Sequence, residues 1–494
     1  MPTLKTQSET LFLDQITPIG LYLALRDQFA GCLLLESSEH RDKTQARSIL
    51  CAAPIAGIRL FQNPEKEIKL ETFLYQNLQS QSFEALSAEK NSNLRQILHQ
   101  FFETFHPRED LQKGINGFFG FQSFEAVKYF ENQKANLDLH FDSKTDILNY
   151  QLFRYVICFN HFNGEVTFIE NKIEEQAQDT HFQDLSLSEF IQKLLKQSGK
   201  TYPFQCVGEE KAIDDENYFL EMVRKAQAHC QRGDVFQMVV SRHFYQAFQG
   251  DEFNLYRALR HINPSPYMFY FDYGNYKIFG SSPEAQIRIA EGQALVNPIA
   301  GTYKRTGDKL KDSELGKALL VDPKETAEHA MLVDLARNDL NRHCQDVQVL
   351  EYKAVHQYSH VIHLVSTVKG SLDAPTEKGL ETALHVLADT FPAGTLSGAP
   401  KIRALQLLAQ LEQDPRGFYG GSIGFIDFKG EVNQAILIRS FLSYQNQIHY
   451  RAGAGVVLAS VPEQELQEVA NKLAALRRAL AEAEKLSLSS AYLA

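Results

Sequence analysis

The chain has 494 residues, 50 Lys and Arg against 61 Asp and Glu (net charge −11 at pH 7), and 44% hydrophobic residues. This is enough for two domains or one large, elaborated one, while the acidic balance and the lack of any Lys/Arg block exclude a nucleic-acid binder. No apolar run is long enough to span a bilayer, and MPTLKTQSETLFLDQ lacks the basic-then-apolar layout of a signal peptide, so a cytoplasmic protein with no membrane role is expected.

Thr17-Pro18 is a helix start, N-cap then proline, for a helix through LYLALRDQF that ends before Gly31 and a buried-strand run, CLLLE. Residues 53–75 alternate like a strand pair, 80–105 carry helical periodicity, and GFFGF, 148–159 and 165–170 read as strands. LSEFIQKLL (187–195) is a helix, and 199–214 reads as a connection and domain boundary. The expected division is an N-terminal region, 1–205, and a catalytic domain, 206–494. In the second part, 214–232 is a helix stopped by Gly233, 235–244 a strand, 251–262 a helix, and YMFYF, YKIFG and AQIRIA are strands. GSIGFIDF and HYRAGAGVVL are strands near the end, and 463–485 is a long helix. Grouped strands punctuated by helices predict an α+β fold, large mostly antiparallel sheets in a sandwich-like core with helices outside; no GxGxxG fingerprint points to a dinucleotide fold. The six cysteines (Cys32, Cys51, Cys158, Cys206, Cys230, Cys344) are scattered without a Cys-x-x-Cys, which argues for packed, reduced thiols.

FPAGTLSGAPK (391–401) sets Gly394, Thr395, Ser397 and Gly398 between two prolines and opens onto the helical KIRALQLLAQL. It reads as a ligand-hugging turn with helix amides behind it, or as a capped surface connection. Asp322-Pro323-Lys324-Glu325 is an N-cap with a capping box, which accounts for Glu325 but not for Glu328 on the same helical face. Ser460-Val461-Pro462-Glu463 repeats the pattern and leaves Glu465 and Glu468. Two i, i+3 carboxylate pairs fit either a solvated helix face or an oxygen-ligated Mg²⁺. His363 in VIHLVSTV is a core histidine or an acid/base group. Arg439, Lys472, Tyr419 and GAG (453–455) would suit a small substrate with more than one carboxylate.

PIAGT (298–302), KETAEHAMLVDLARND (324–339), YSHVIHLVS (358–366), PAGTLSGAPK, RGFYGGSIGF (416–425), IRS (438–440) and AGAGVV (452–457) follow one another in the order and spacing of the chorismate-binding enzymes. The chain resembles that family, and within it the large subunits of anthranilate synthase, strongly over 214–480 and more weakly in the first 60 residues. QSFEAVKYFE after Gly120 departs from the family wording. The resemblance implies Glu328 and Glu468 as direct Mg²⁺ ligands, with Glu325 and Glu465 behind them and one of these two protonating the leaving hydroxyl. It implies His363 as the acid/base group and Thr395, Tyr419, Arg439, Gly455 and Lys472 as substrate contacts, with Ala300, Gly301, Thr302, Gly394 and Gly453 in the same substrate-binding set. The implied reaction is amination of chorismate and loss of pyruvate to give anthranilate. Isochorismate and salicylate synthases have a base lysine where this chain has Gln237, and aminodeoxychorismate synthases commonly have a nucleophilic lysine where it has Ala300, so both positions point to ammonia and anthranilate. Aminodeoxychorismate synthesis and a catalytically silent relative are the alternatives. No cysteine has glycine on both sides, so the ammonia is expected from a separate glutamine amidotransferase subunit in a hetero-oligomer. Leu35, Glu36 and Ser37 in LLES, with Pro264, Ser265, Pro266, Tyr267 and Met268 in NPSPYM, resemble the family's tryptophan feedback site.

Overall fold

Both faces of the short strand Leu33–Ser37 are apolar at its start, and both are covered. Leu33 packs in a core with Ile49, Phe119, Phe153, Phe269 and Ile278, while Leu34 joins a larger core with Leu50, Leu152, Tyr270 and the helical Leu25 and Leu255. A computed structural model describes residues 4–37, 46–74, 77–82, 93–105, 115–131, 135–173, 185–357, 361–372 and 379–490. Among them every strand pairing is antiparallel, and the strands join into one hydrogen-bonded network. One core lies between sheet faces and the other beneath helices, the two-layer arrangement that the expected α+β sandwich requires.

Strands on either side of residue 205 share hydrogen bonds. Leu33–Ser37 pairs with Tyr267–Asp272, and Gly117–Gln122 pairs with Ser422–Asp427. The helix Pro18–Arg26 is capped by the Thr17 hydroxyl, which accepts from the Gly20 amide. Leu187–Leu195 is the expected helix, and Gly233 takes φ +78° after Glu216–Gln231.

Two stretches differ from expectation. Phe204–Ala212 is a strand, not a connection, paired with Gln237–Gly250. It lies along the sheet with most of its side chains wet, so QCVGEEKA needs no apolar alternation to be a strand. Asn77–Ser82 is also a strand, and helix forms only over Leu94–Glu103; the FEAL segment lies outside the described residues. All six cysteines are free thiols. No helix among the described residues is long and apolar enough to cross a membrane.

The helix Lys401–Leu411 starts with a buried lysine. Its Nζ donates to Asp339 Oδ2 at 2.7 Å and to the Asp389 carbonyl at 3.1 Å, tying the exit of the 391–401 turn to the helices Pro323–Leu340 and Gly379–Asp389. Lys401→Ala leaves the Asp339 carboxylate without its cation and is expected to lower the unfolding free energy by about 3 kcal/mol, read as a lower urea midpoint.

Candidate active site

The 391–401 turn is buried through most of its length, which rules out a plain surface connection. Gly398–Ala399 pairs with Gln237–Met238, and Met238 also pairs with Val456 of the strand Gln447–Val456. Gly398 sits at φ +142°, and a Cβ there would lie 2.3 Å from the Gln237 carbonyl, so only glycine lets the chains meet this closely. Gly394 packs against Leu335 of the helix Pro323–Leu340. Thr395 Oγ1 donates to Glu284 Oε1 at 3.0 Å. Burial raises the Glu284 carboxyl to about 8, against the lowering effects of Thr395 and the Lys472 charge. Glu284 is therefore largely a neutral acid at pH 7.

The helices Pro323–Leu340 and Pro462–Ser490 bring the two glutamate pairs together. Glu328 Oε1 accepts from Gln237 Nε2 at 2.7 Å. Glu468 pairs with Lys472 Nζ at 2.7 Å, and that ammonium also donates to the Gly453 carbonyl at 2.8 Å. Glu325, Glu328 and Glu465 are all pushed above the usual carboxylate range, by burial first and then by one another or Glu468. Among the described residues no three His, Cys, Asp or Glu side chains are gathered into a ready-made metal shell. A hard divalent cation asks less, one or two carboxylates with water and substrate oxygens, and mutually repelling carboxylates supply donors of that kind.

Only the N-cap half of the first capping box forms. Asp322 accepts from the Lys324 and Glu325 amides, while the Glu325 side chain faces Gly301 instead, its Oε2 3.2 Å from where a Gly301 Cβ would stand. The second box does not form, because the helix begins at Pro462 and Ser460 lies outside it. The Ser460 hydroxyl accepts from the Val457 amide and is hydrogen-bonded to the buried Glu465; Glu463 is exposed beside Arg224.

His363 lies in the strand Val361–Leu372 and its Nδ1 donates to the Gly301 carbonyl at 2.9 Å. That bond makes Nε2 the basic nitrogen. Burial, with the Arg439 and Lys472 charges, lowers its pKa to about 4, so the ring is neutral. Gly301 has φ +72° at a bulge in the strand Ile299–Lys304, next to the buried Ala300. Thr302 is paired with His363, and its side chain lies outside the described residues. Arg439 has φ +51°, and its guanidinium makes no hydrogen bond or ion pair among the described residues; burial depresses its pKa. The buried Tyr419 sets its hydroxyl 3.1 Å from the position of a Gly453 Cβ, and a Cβ on Gly455 would strike Gln237 Nε2 at 2.4 Å.

These contacts link Gln237, Gly301, Glu325, Glu328, His363, Tyr419, Arg439, Gly453, Gly455, Glu465, Glu468 and Lys472 into one cluster, with Thr395 joined through Glu284. Glu284 was not anticipated. Its signal is an acid placed directly after Ser281-Ser282-Pro283, between two apolar strands.

The LLES and NPSPYM segments form a separate place. Glu36 lies opposite Met268 and Ser37 opposite Tyr267, with Pro264 exposed, Ser265 buried and Pro266 leading into the strand. Glu36 is already engaged, accepting from Tyr256 at 2.6 Å and from Arg260 Nε and Nη2 at 2.8 and 3.0 Å. Met268 in turn pairs with Ser281, whose amide donates to the Arg439 carbonyl at 3.1 Å. A groove of about 720 Å³ bounded by Thr17, His161 and Arg257 contains none of the clustered residues above.

The family described as chorismate binding enzyme matches residues 32–478. The chain belongs to this family. Anthranilate synthase component 1 of Aquifex aeolicus is 37% identical, covering 96% of this chain and 94% of that one. The protein of the same name from Thermus thermophilus is 33% identical, covering 98% and 99%. The crystal structure of anthranilate synthase component I from Streptococcus pneumoniae superposes with a TM-score of 0.72 at 30% identity, covering 87% of this chain and 92% of that one. The menaquinone-specific isochorismate synthase of Escherichia coli, at 21% identity and TM-score 0.71 over 97% and 95%, shares the fold.

In this chorismate-binding enzyme the Glu284 shift has a consequence for stability. Its pKa rises from the ordinary 4.5 to about 8 on folding, so the unfolded chain gives up its proton first. The stability this group contributes is complete below pH 4.5 and disappears as pH rises through 8. Glu284→Gln is thus expected to gain stability relative to the parent between pH 5 and 9, measured as the difference in urea midpoints.

Proposed function

We propose that this chorismate-binding enzyme is the large subunit of an anthranilate synthase, converting chorismate and ammonia to anthranilate, pyruvate and water. The observation that carries the reading is the Gln237 amide. Its Nε2 is committed to Glu328, and its Oε1 is buried with no hydrogen-bond partner among the described residues. That oxygen can accept an N–H from ammonia, while an amide has no basicity with which to activate water. Ala300 has no nucleophile, which argues against the aminodeoxychorismate route.

Arg439, a partly buried cation without a carboxylate partner among the described residues, suits one substrate carboxylate through paired N–H donors. Tyr419 and Thr395 suit the ring and its remaining oxygens. Glu328 and Glu468 would hold Mg²⁺, with Glu325 and Glu465 behind them, and the bound ion would neutralise and orient a substrate carboxylate. Ammonia held at Gln237 forms the new bond to ring carbon 2 as the bond from carbon 4 to its hydroxyl breaks. Glu284, neutral at pH 7, supplies the proton with which that hydroxyl leaves as water. It fits this role better than Glu325 or Glu465, which sit where carboxylate charge serves a cation. The neutral His363 can then take the carbon 2 proton through Nε2 as the bond from ring carbon 3 to the enolpyruvyl oxygen breaks; that proton, delivered to the enolpyruvyl methylene, gives pyruvate, and the proton shed by the new ammonium nitrogen restores Glu284.

All six thiols are pushed upward in pKa by burial, so none is a ready nucleophile for releasing ammonia from glutamine. This supports a separate glutaminase subunit. The LLES and PYM pairing supports a tryptophan site at Leu35–Ser37 and Pro264–Met268.

The purified chain with chorismate, Mg²⁺ and ammonium should give anthranilate fluorescence and pyruvate in equal amounts; chorismate consumed without pyruvate would sink the reading. Glu284→Gln should lower kcat about 100-fold or more, and the parent's kcat at saturating free ammonia should fall as pH rises through about 8. An unaltered kcat would remove Glu284 from the mechanism. Ser37→Leu should abolish inhibition by tryptophan, and retained inhibition would discard that site.

A further inference from the structure

The segment QSFE (122–125) has no counterpart in the chemistry above, yet it builds the loop that carries Tyr419. Glu125 is 2% exposed, and its Oε1 accepts the successive amides of Arg416 at 2.8 Å and Gly417 at 3.1 Å. Two neighbouring amides converging on one oxygen offset part of the cost of burying this carboxyl, which burial still raises to about 7. The preceding residue doubles the attachment. The Phe124 amide donates to the Gly417 carbonyl at 2.9 Å, and the Arg416 guanidinium lies 4.4 Å over the Phe124 ring.

The loop needs this support. Gly417 and Gly420 take φ +60° and +78°, a backbone with little stiffness of its own. Arg416 passes the constraint on in two directions. Its carbonyl accepts the Tyr419 amide at 3.2 Å, and its guanidinium donates to the carbonyls of Leu396 at 2.6 Å and Val239 at 2.5 Å and to Glu412. Leu396 is next to Thr395, and Val239 is two residues from Gln237. One buried carboxylate thus stands behind Tyr419 on one side and Thr395 on the other.

We propose that Glu125 is a positioning residue for the substrate: by fixing Arg416 and Gly417 it sets Tyr419 and the Thr395 turn. A residue of the first 205 then completes the substrate site. This rests on the reading in which Tyr419 touches the substrate ring.

The test uses the full chain, with chorismate binding followed by calorimetry and turnover followed by anthranilate fluorescence. Glu125→Asp keeps the carboxyl group but draws the acceptor back by one methylene, and Glu125→Ala removes it. Both should weaken chorismate binding about tenfold and raise KM in step, and Glu125→Gln, which keeps the accepting oxygen, should restore binding to within about threefold. In a Tyr419→Phe background the Glu125→Asp effect should shrink to about twofold or less, because both changes act on one contact. A folded Glu125→Asp protein with parental affinity would overturn the proposal, as would effects of Glu125→Asp and Tyr419→Phe that add independently. A parent that binds chorismate without making anthranilate would sink the anthranilate reading and leave the binding test of Glu125 intact.

Discussion

Met238 is paired across both of its edges, with Gly398 on one side and Val456 on the other. Much of the site depends on that double pairing. It draws the 391–401 turn, the start of the Gln237–Gly250 strand and the glycine strand of Gly453 and Gly455 to one point, leaving the Gln237 side chain at the junction. The glycines are steric requirements of the same geometry, since a Cβ at 398 or 455 would collide with Gln237 itself. Fixed there, the Gln237 amide is held against Glu328 and presents its oxygen to the interior.

Around this junction the Glu468–Lys472 ion pair is joined by charges that no ion pair among the described residues relieves. Glutamates from two helices raise one another's pKa, while Arg439 has no carboxylate within hydrogen-bonding reach among the described residues. A folded chain selected for stability alone would pair these groups with each other or replace them with apolar residues. Keeping them as they are costs stability. The neutral Glu284 and His363 complete the set with one proton to give and one nitrogen to receive it.

Much of the architecture was legible from local chemistry. Thr17-Pro18 caps a helix as its residues dictate, and the i, i+3 spacing puts each glutamate pair on one helical face. Legibility failed where the deciding partner is remote in sequence. Phe204–Ala212 is a strand because Gln237–Gly250 offers it an edge, and its own polar residues give no sign of that. Glu284 reads as an ordinary acid after a turn until burial makes it a protonated one, against the lowering hydrogen bond from Thr395, 111 residues away. Ser460 looks like an N-cap from its neighbours, but its hydroxyl is taken by the Val457 amide and by Glu465. The resemblance named most of the clustered residues ahead of their geometry, but not the segment QSFE, whose partners become visible only in three dimensions.

Glu36, Met268, Ser281 and the Arg439 carbonyl lie in a single row across adjacent strands. At the usual interstrand spacing of about 4.8 Å the row is roughly 14 Å long, and the Ser281 amide closes its last step on the Arg439 carbonyl. Side chains can swing to absorb a disturbance, while the backbone of strands paired in register has less slack. Mechanically it is a strut. Its far end is the backbone carbonyl of Arg439, a residue held at positive φ.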